Sequence, residues 1–223
     1  MPDIVSDPAT TRAATAEPLF LFDFDGTITA VELLPQIAAE LGLSDDITRL
    51  TNETMAGAVP FEQSLRERVA MLGHAAPETI HEIVARLPVF ERLMGWIAAH
   101  RAQCYVVTGN LDLWIDPWMR RHGLRYFSSS ATFDGQRVAL DHVLQKQSVL
   151  EHLPDRPTVM IGDGANDAEI MAACDVGIVN AILRDPAPAL LEAADVVVTS
   201  EDALCRTLTR LSSAPLGAEP DLV

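Results

Sequence analysis

The sequence predicts a doubly wound α/β fold: a mostly parallel sheet flanked by helices, with a small α-helical domain inserted after the first strand. Three observations carry this. Short apolar runs repeatedly end in polar or glycine-rich loops, as buried parallel strands do, and helix-period stretches alternate with them. Between the first run and the helical pattern at 90–101, about sixty residues carry helical periodicity and no strand signal, too many for a βα loop.

The first strand is Leu19-Phe20-Leu21-Phe22, stopping at Asp23-Phe24-Asp25-Gly26-Thr27. Helices are expected near 31–41, 45–56, 60–72 and 77–86. In the third, Pro60 occupies the first turn while Phe61, Leu65, Val69 and Leu72 share one face. Tyr105-Val106-Val107 is the next strand and leads into Thr108-Gly109-Asn110. Asp134-Gly135 marks a hairpin turn within 126–140. A helix is expected at 145–153, a strand at Val159-Met160-Ile161 before Gly162-Asp163-Gly164, and a helix at 165–173. Val176-Gly177-Ile178-Val179, a helix at 187–193 and Val196-Val197-Val198 follow. The expected division is therefore a core of 18–30 plus 88–212 and a helical cap at 31–87, with flexible tails at 1–17 and 213–223, where Pro, Ala, Ser, Thr and acids dominate. The joints at Thr29–Val31 and Leu87–Val89 are expected to let the insert move as a lid.

Composition narrows the function. The chain has 223 residues, 32 acidic against 16 basic, and a formal net charge of -16. Such a field disfavours nucleic-acid backbones and anionic membrane surfaces as partners. Neither a long apolar run nor a basic-then-apolar leader is present, so a cytoplasmic protein is expected. Three cysteines without a CxxC pair, and six histidines without an i,i+4 pair, give no zinc-type spacing. Ser128-Ser129-Ser130 lacks a nucleophile elbow. Oligomeric state is not readable from the sequence.

The chemistry converges at the strand ends, where doubly wound sheets bind ligands. Asp23 and Asp25 follow one strand, and Asp163 and Asp167 follow another. Four carboxylates at one sheet edge repel unless a cation lies among them, and hard oxygen donors favour Mg²⁺. Calcium loops counted from Asp23 or Asp163 fail: Ile28 and Ala168 fall where glycine is required. With a phosphate ester bound, one carboxylate can attack phosphorus while the other protonates the leaving alcohol. Thr108 and Gly109 offer a hydroxyl and open backbone. Lys146, the only lysine among the 16 basic residues, offers a compact charge.

Together, Asp23-Phe24-Asp25-Gly26-Thr27, Thr108-Gly109, Lys146 and Gly162-Asp163-Gly164-Ala165-Asn166-Asp167 resemble, in order and spacing, the four motifs of the haloacid-dehalogenase-like phosphatase superfamily. The resemblance spans about residues 19–212, and the insert is similar to the small helical cap of the phosphoserine phosphatase branch. It implies a Rossmann-like core in which Asp23 is a nucleophile forming an aspartyl-phosphate and Asp25 is general acid, then base. It further implies Mg²⁺ held by Asp23, the Asp25 carbonyl and Asp163, with Asp167 orienting Lys146, and Thr108, Gly109 and Asn166 on the phosphate.

Asp25 separates the chain from the metal-free dehalogenase branch, and the absence of Lys-Thr after the nucleophile and of long apolar helices separates it from P-type ATPases. Glu32, Met55, Phe61 and Arg68 are similar to cap residues that bind serine in that branch: Glu32 for the ammonium, Arg68 for the carboxylate, and Met55 and Phe61 as a shield. The implied substrate is a small phosphate ester, L-phosphoserine first. Another small ester, such as a homoserine, amino-alcohol or sugar phosphate, or phosphotransfer to an alcohol acceptor, is the alternative. Thr108-Gly109-Asn110-Leu111-Asp112 departs from the branch's usual Ser-Gly-Gly-Phe, which points to Asn110 and Asp112 as residues able to alter specificity. Trp114 and Trp118, four apart, read as core packing.

Overall fold

A computed structural model describes residues 16–213, and most of the two predicted tails lies outside them. Residues at the inner margins of those tails are anchored: Gln103 Nε2 donates to Glu17 Oε2 at 3.0 Å, and the last helix runs through Ser213.

The chain opens with β1 (Leu19–Phe22), then α1 (Leu33–Leu41), α2 (Ser44–Met55), α3 (Phe61–Leu72) and α4 (Pro77–Val84). Next come α5 (Glu91–Ala99), β2 (Cys104–Leu111), α6 (Asp112–His122) and the hairpin of β3 (Arg125–Phe133) and β4 (Val138–His142). A 3₁₀ segment at Lys146–His152 precedes β5 (Thr158–Gly162). The rest is α7 (Ala168–Ala173), β6 (Val176–Asn180), α8 (Pro188–Glu192), β7 (Val196–Val198) and α9 (Glu201–Ser213). The sheet order is β4-β3-β2-β1-β5-β6-β7, with β4 antiparallel to β3 and the other pairings parallel. β1 is central, so the Asp23 to Gly26 turn opens at the middle of the sheet's carboxyl edge.

Alternation along β1 divides the core. Phe20 and Phe22 pack with Trp96, Ile97, Leu204 and Leu208, while Leu21 packs with Val107, Met160, Ile170 and Leu190 in the other layer. Both indoles predicted to be core are buried, and Trp118 meets Phe24 edge-to-face with centroids 5.0 Å apart.

Two elements differ from expectation. The segment after Gln145 forms a 3₁₀ helix over Lys146–His152 rather than an α-helix, with extended backbone at Gln145 and Leu153 on either side. β2 does not stop at Val107. It continues to Leu111, with Val107 opposite Phe127 and Leu111 opposite Ser129, so four residues of β2 span two of β3. The resulting bulge contains Thr108, Gly109 and Asn110, and bulges aim side chains out of the ladder.

The inserted helices bury Leu33, Leu34, Ile37, Ile47, Leu65, Val69, Leu72 and Ile80 in continuity with the sheet's larger core layer. The joints predicted as hinges are hydrogen-bonded to one another: Thr29 bridges Val89, Ala30 N–H donates to the Pro88 carbonyl at 2.8 Å, and Phe90 N–H donates to the Ile28 carbonyl at 3.0 Å. Elsewhere Val138 N–H donates to the Gly73 carbonyl at 2.8 Å, and His81 Nε2 donates to the Leu113 carbonyl at 2.8 Å.

Candidate active site

Asp23 leaves β1 with its backbone N–H on the Ile161 carbonyl at 2.9 Å, still in sheet register. Its Oδ1 accepts from Lys146 Nζ at 2.7 Å, and the same Nζ donates to Asp167 Oδ1 at 2.6 Å. Lys146 is buried among these acids. A lysine suits this position because a compact ammonium can serve two carboxylates from one point. The Asp167 Oδ2 accepts from Gly164 N–H at 3.2 Å, closing the turn after β5. Asn180 Nδ2, at the end of β6, donates to the Gly26 carbonyl at 3.0 Å and fixes the loop carrying Asp25.

Asp25 accepts from Leu33 N–H at 3.2 Å on Oδ1 and from Asn110 Nδ2 at 2.9 Å on Oδ2. The Thr108 hydroxyl oxygen accepts from both the backbone N–H and the side-chain amide of Asn110, at 3.1 and 3.2 Å. Its own proton therefore remains for a ligand. Burial, reinforced by Glu32 and Asp23, holds the Asp25 carboxyl well above the usual carboxylate range. Burial and Asp167 push Asp23 up to about 7 against the pull of Lys146, and burial with Glu32 raises Asp163.

Asp23, Asp163 and Asp167 each present an oxygen within 4.8 Å of the others. Among the described residues neither oxygen of Asp163 accepts a hydrogen bond, although both are buried, and its charged neighbour is Arg184, whose Nε stands 3.0 Å from Oδ2. A buried carboxylate without hydrogen bonds is costly, and a guanidinium beside one oxygen leaves the other unserved, so a hard cation fits this donor set. The backbone is shaped around it: Gly26 has φ +65°, and a Cβ there would lie 2.2 Å from Asp163 Oδ2.

A cavity of about 30 Å³ is lined by Asp23, Asp25, Glu32, Met55, Phe61, Arg68, Thr108, Gly109, Asn110 and Asn166, with Leu34 and Leu65. The Phe61 ring lies against Gly109, where a Cβ would come within 2.0 Å of its Cζ. The Met55 methyl lies over Gly164. Beyond Phe61 and Asn166 a hollow of about 380 Å³ runs under residues 57–60 to Lys146 and Gln147. Arg68 is fixed by Nε to the Ser64 carbonyl at 3.2 Å and Nη1 to Thr51 Oγ1 at 3.0 Å.

This arrangement of a buried aspartate on a lysine, a second acid two residues on and a paired acid after β5 coincides with the comparisons to known proteins. Residues 18–175 match the family model described as haloacid dehalogenase-like hydrolase. The chain belongs to that family. A phosphoserine phosphatase of Methanocaldococcus jannaschii is 29% identical over 200 residues, covering 82% of this chain and 93% of the relative. One from Archaeoglobus fulgidus is 26% identical, covering 79% of this chain and 56% of its own length. A solved substrate-bound phosphoserine phosphatase superposes with TM-score 0.71 at 27% identity, over 87% of this chain and 98% of that one. These relatives place the family member in the phosphoserine phosphatase-like branch.

Asp112, one of the two residues expected to alter specificity, does not reach the cavity: its Oδ1 accepts from Leu113 N–H at 2.7 Å and Ala131 N–H at 3.0 Å, fastening the start of α6 to β3. A short acidic side chain at a helix start satisfies backbone donors before it can reach a ligand. Sequence reasoning also missed Asn180, Thr51 and, most consequentially, Arg184. The Arg184 guanidinium is ion-paired to Glu32, and its Nε lies 3.0 Å from Asp163 Oδ2. The available signal was position, because the loop following every parallel strand opens at this edge.

Proposed function

We propose that the chain is a Mg²⁺-dependent phosphomonoesterase that hydrolyses L-phosphoserine through an aspartyl-phosphate. The observation that carries this reading is the shared placement of Asp23, Asp25 and Thr108 on one small cavity, with Lys146 hydrogen-bonded to Asp23. Asp23 and Asp163 would hold the cation, with the Asp25 backbone carbonyl as the further donor. When bound, that cation supplies Lewis-acid stabilisation of the charged phosphoryl oxygens.

The remaining chemistry belongs to the side chains. The Asp23 oxygen not engaged by Lys146 attacks phosphorus, and the bond from phosphorus to the serine oxygen breaks. Asp25, kept protonated by burial and by Glu32, gives its proton to that oxygen so that serine leaves as a neutral alcohol. The Asp25 carboxylate then takes a proton from water, whose oxygen attacks the phosphoryl group. Phosphate departs and Asp23 returns as carboxylate. Lys146 and the Thr108 hydroxyl face the charge that develops, and Asn110 keeps Asp25 aligned.

Arg68, held by Ser64 and Thr51, is preorganised to receive a carboxylate. Met55 and Phe61 cover the site and exclude water. The insert is accordingly the cap, and the sheet with its helices the catalytic core. The test is phosphate release with Mg²⁺ from L-phosphoserine against sugar, nucleotide and amino-alcohol phosphates. Chelator-sensitive release preferring L-phosphoserine, lost in Asp23→Asn with unchanged folding, is the expected result. Substantial activity in Asp23→Asn contradicts the mechanism.

A further inference from the structure

Arg184 projects from the loop between β6 and α8 and carries its guanidinium to two acids of the site. It is ion-paired to Glu32, and its Nε stands 3.0 Å from Asp163 Oδ2. The side chains are only 24% exposed for Arg184 and 14% for Glu32, so the pair is shielded from solvent competition.

Among the described residues, the charged groups lining the cavity besides Asp23 and Asp25 are Arg68 and Glu32. A ligand bearing a carboxylate and an ammonium complements two such groups when both are free. Here Glu32 already carries a cation. An incoming ammonium must displace the guanidinium or share the carboxylate with it, and exchanging one cation for another at one acid returns little net free energy. Asp163, the other acid beside Arg184, belongs to the set that fits a divalent cation. Once that acid is engaged, Glu32 is the carboxylate left to Arg184.

Building on the phosphomonoesterase reading above, we propose that Arg184 is a specificity-determining residue. By holding Glu32 it removes the advantage of an amino group. The site then takes small carboxylate-bearing phosphate esters with either an amino or a hydroxyl group beside the carboxylate, and Arg68 supplies the common recognition.

The test compares L-phosphoserine with its 2-hydroxy analogue in the full chain with Mg²⁺, for the unaltered protein, Arg184→Gln, Glu32→Gln and the double variant. The unaltered protein is expected to show kcat/KM values for the two esters within about threefold of each other. Arg184→Gln is expected to shift the ratio of the two kcat/KM values about tenfold towards the amino ester, with the shift carried by KM, whatever change the loss of the guanidinium beside Asp163 makes to the turnover of both esters alike. Adding Arg184→Gln to Glu32→Gln is expected to move the ratio no further, because the effect runs through that carboxylate. A merely structural role for Arg184 would lower both esters together.

Calorimetric titration with L-serine and L-glycerate reads the same shift without turnover. An unmoved ratio in Arg184→Gln, with both esters still hydrolysed, overturns the assignment. So does an equal shift in the Glu32→Gln background. Absence of phosphate release from either ester overturns the reaction instead, and the calorimetric ratio then decides Arg184 alone: a shift in Arg184→Gln supports the assignment and none overturns it.

Discussion

Lys146 Nζ is shared by Asp23 and Asp167 at 2.7 and 2.6 Å, in a setting where its side chain is 5% exposed. Replacing it with methionine leaves two buried carboxylates without their cation. We expect Lys146→Met to lose about 3–5 kcal/mol in urea unfolding with chelator present. Lys146→Arg is expected not to restore activity, since a planar fork cannot occupy the same point between two acids. Wild-type stability in the methionine variant would contradict this account of the cluster. A second residue gives a pH signature. Burial pushes the Cys104 thiol up to about 12, partly offset by Arg125, from an ordinary value of 9.0. Because the folded value is the higher one, its contribution to stability is complete below about pH 9 and is lost as pH rises towards 12. Cys104 should accordingly resist thiol reagents at pH 8 in the native protein and react on unfolding. Mass mapping of the modified peptide checks this, and rapid native labelling would contradict it. Residues such as Asp23 and Lys146 were legible because their chemistry is rare and their spacing specific. Arg184 was not, because fifteen arginines dilute the signal of any one.

The elements that cover the site are fastened unequally. α4 is held to α6 by the bond from His81 to Leu113, and the end of α3 to β4 by the bond from Val138 to Gly73. The segment from Met55 to Phe61 instead turns at Gly57, φ +76°, with Ala58 N–H on the Glu53 carbonyl at 2.8 Å, above the 380 Å³ hollow. A 30 Å³ cavity holds about one water, so a substrate requires opening. We expect that opening in residues 55–61 rather than as a rigid swing of the whole insert. Hydrogen exchange should show these amides exchanging faster than those of α4 and slowing when L-phosphoserine is bound to Asp23→Asn. Uniform exchange across the insert, slowed as one unit, would favour the hinged lid. Helices of the insert were readable from periodicity, and Phe61, Leu65, Val69 and Leu72 do share the inward side. The bulge in β2 was not, because register is a property of two strands and Thr108-Gly109-Asn110 reads locally as a loop.

At the scale of the molecule, a net charge of -16 coexists with a site that must attract a dianionic ester. The positive charge is local: Lys146 on Asp23, Arg68 from the insert and Arg184 from the far strand loop, joined by the cation that fits the buried acids. The fold assembles these from widely separated stretches of sequence because β1, β2, β5 and β6 end at one edge and the insert returns over it. Its class was legible from the alternation of apolar runs and helical stretches, whereas the pairing of Arg184 with Glu32 emerged only once β6 stood two strands from β1. Phosphoryl transfer through Asp23 leaves a covalent trace. Rapid quenching of the Mg²⁺-loaded protein with radiolabelled L-phosphoserine, followed by peptide mapping, captures it. Hydroxylamine-labile label is expected on the peptide containing Asp23 and none in Asp23→Asn. Turnover with no label on that peptide, or with label on another residue, would contradict transfer through Asp23.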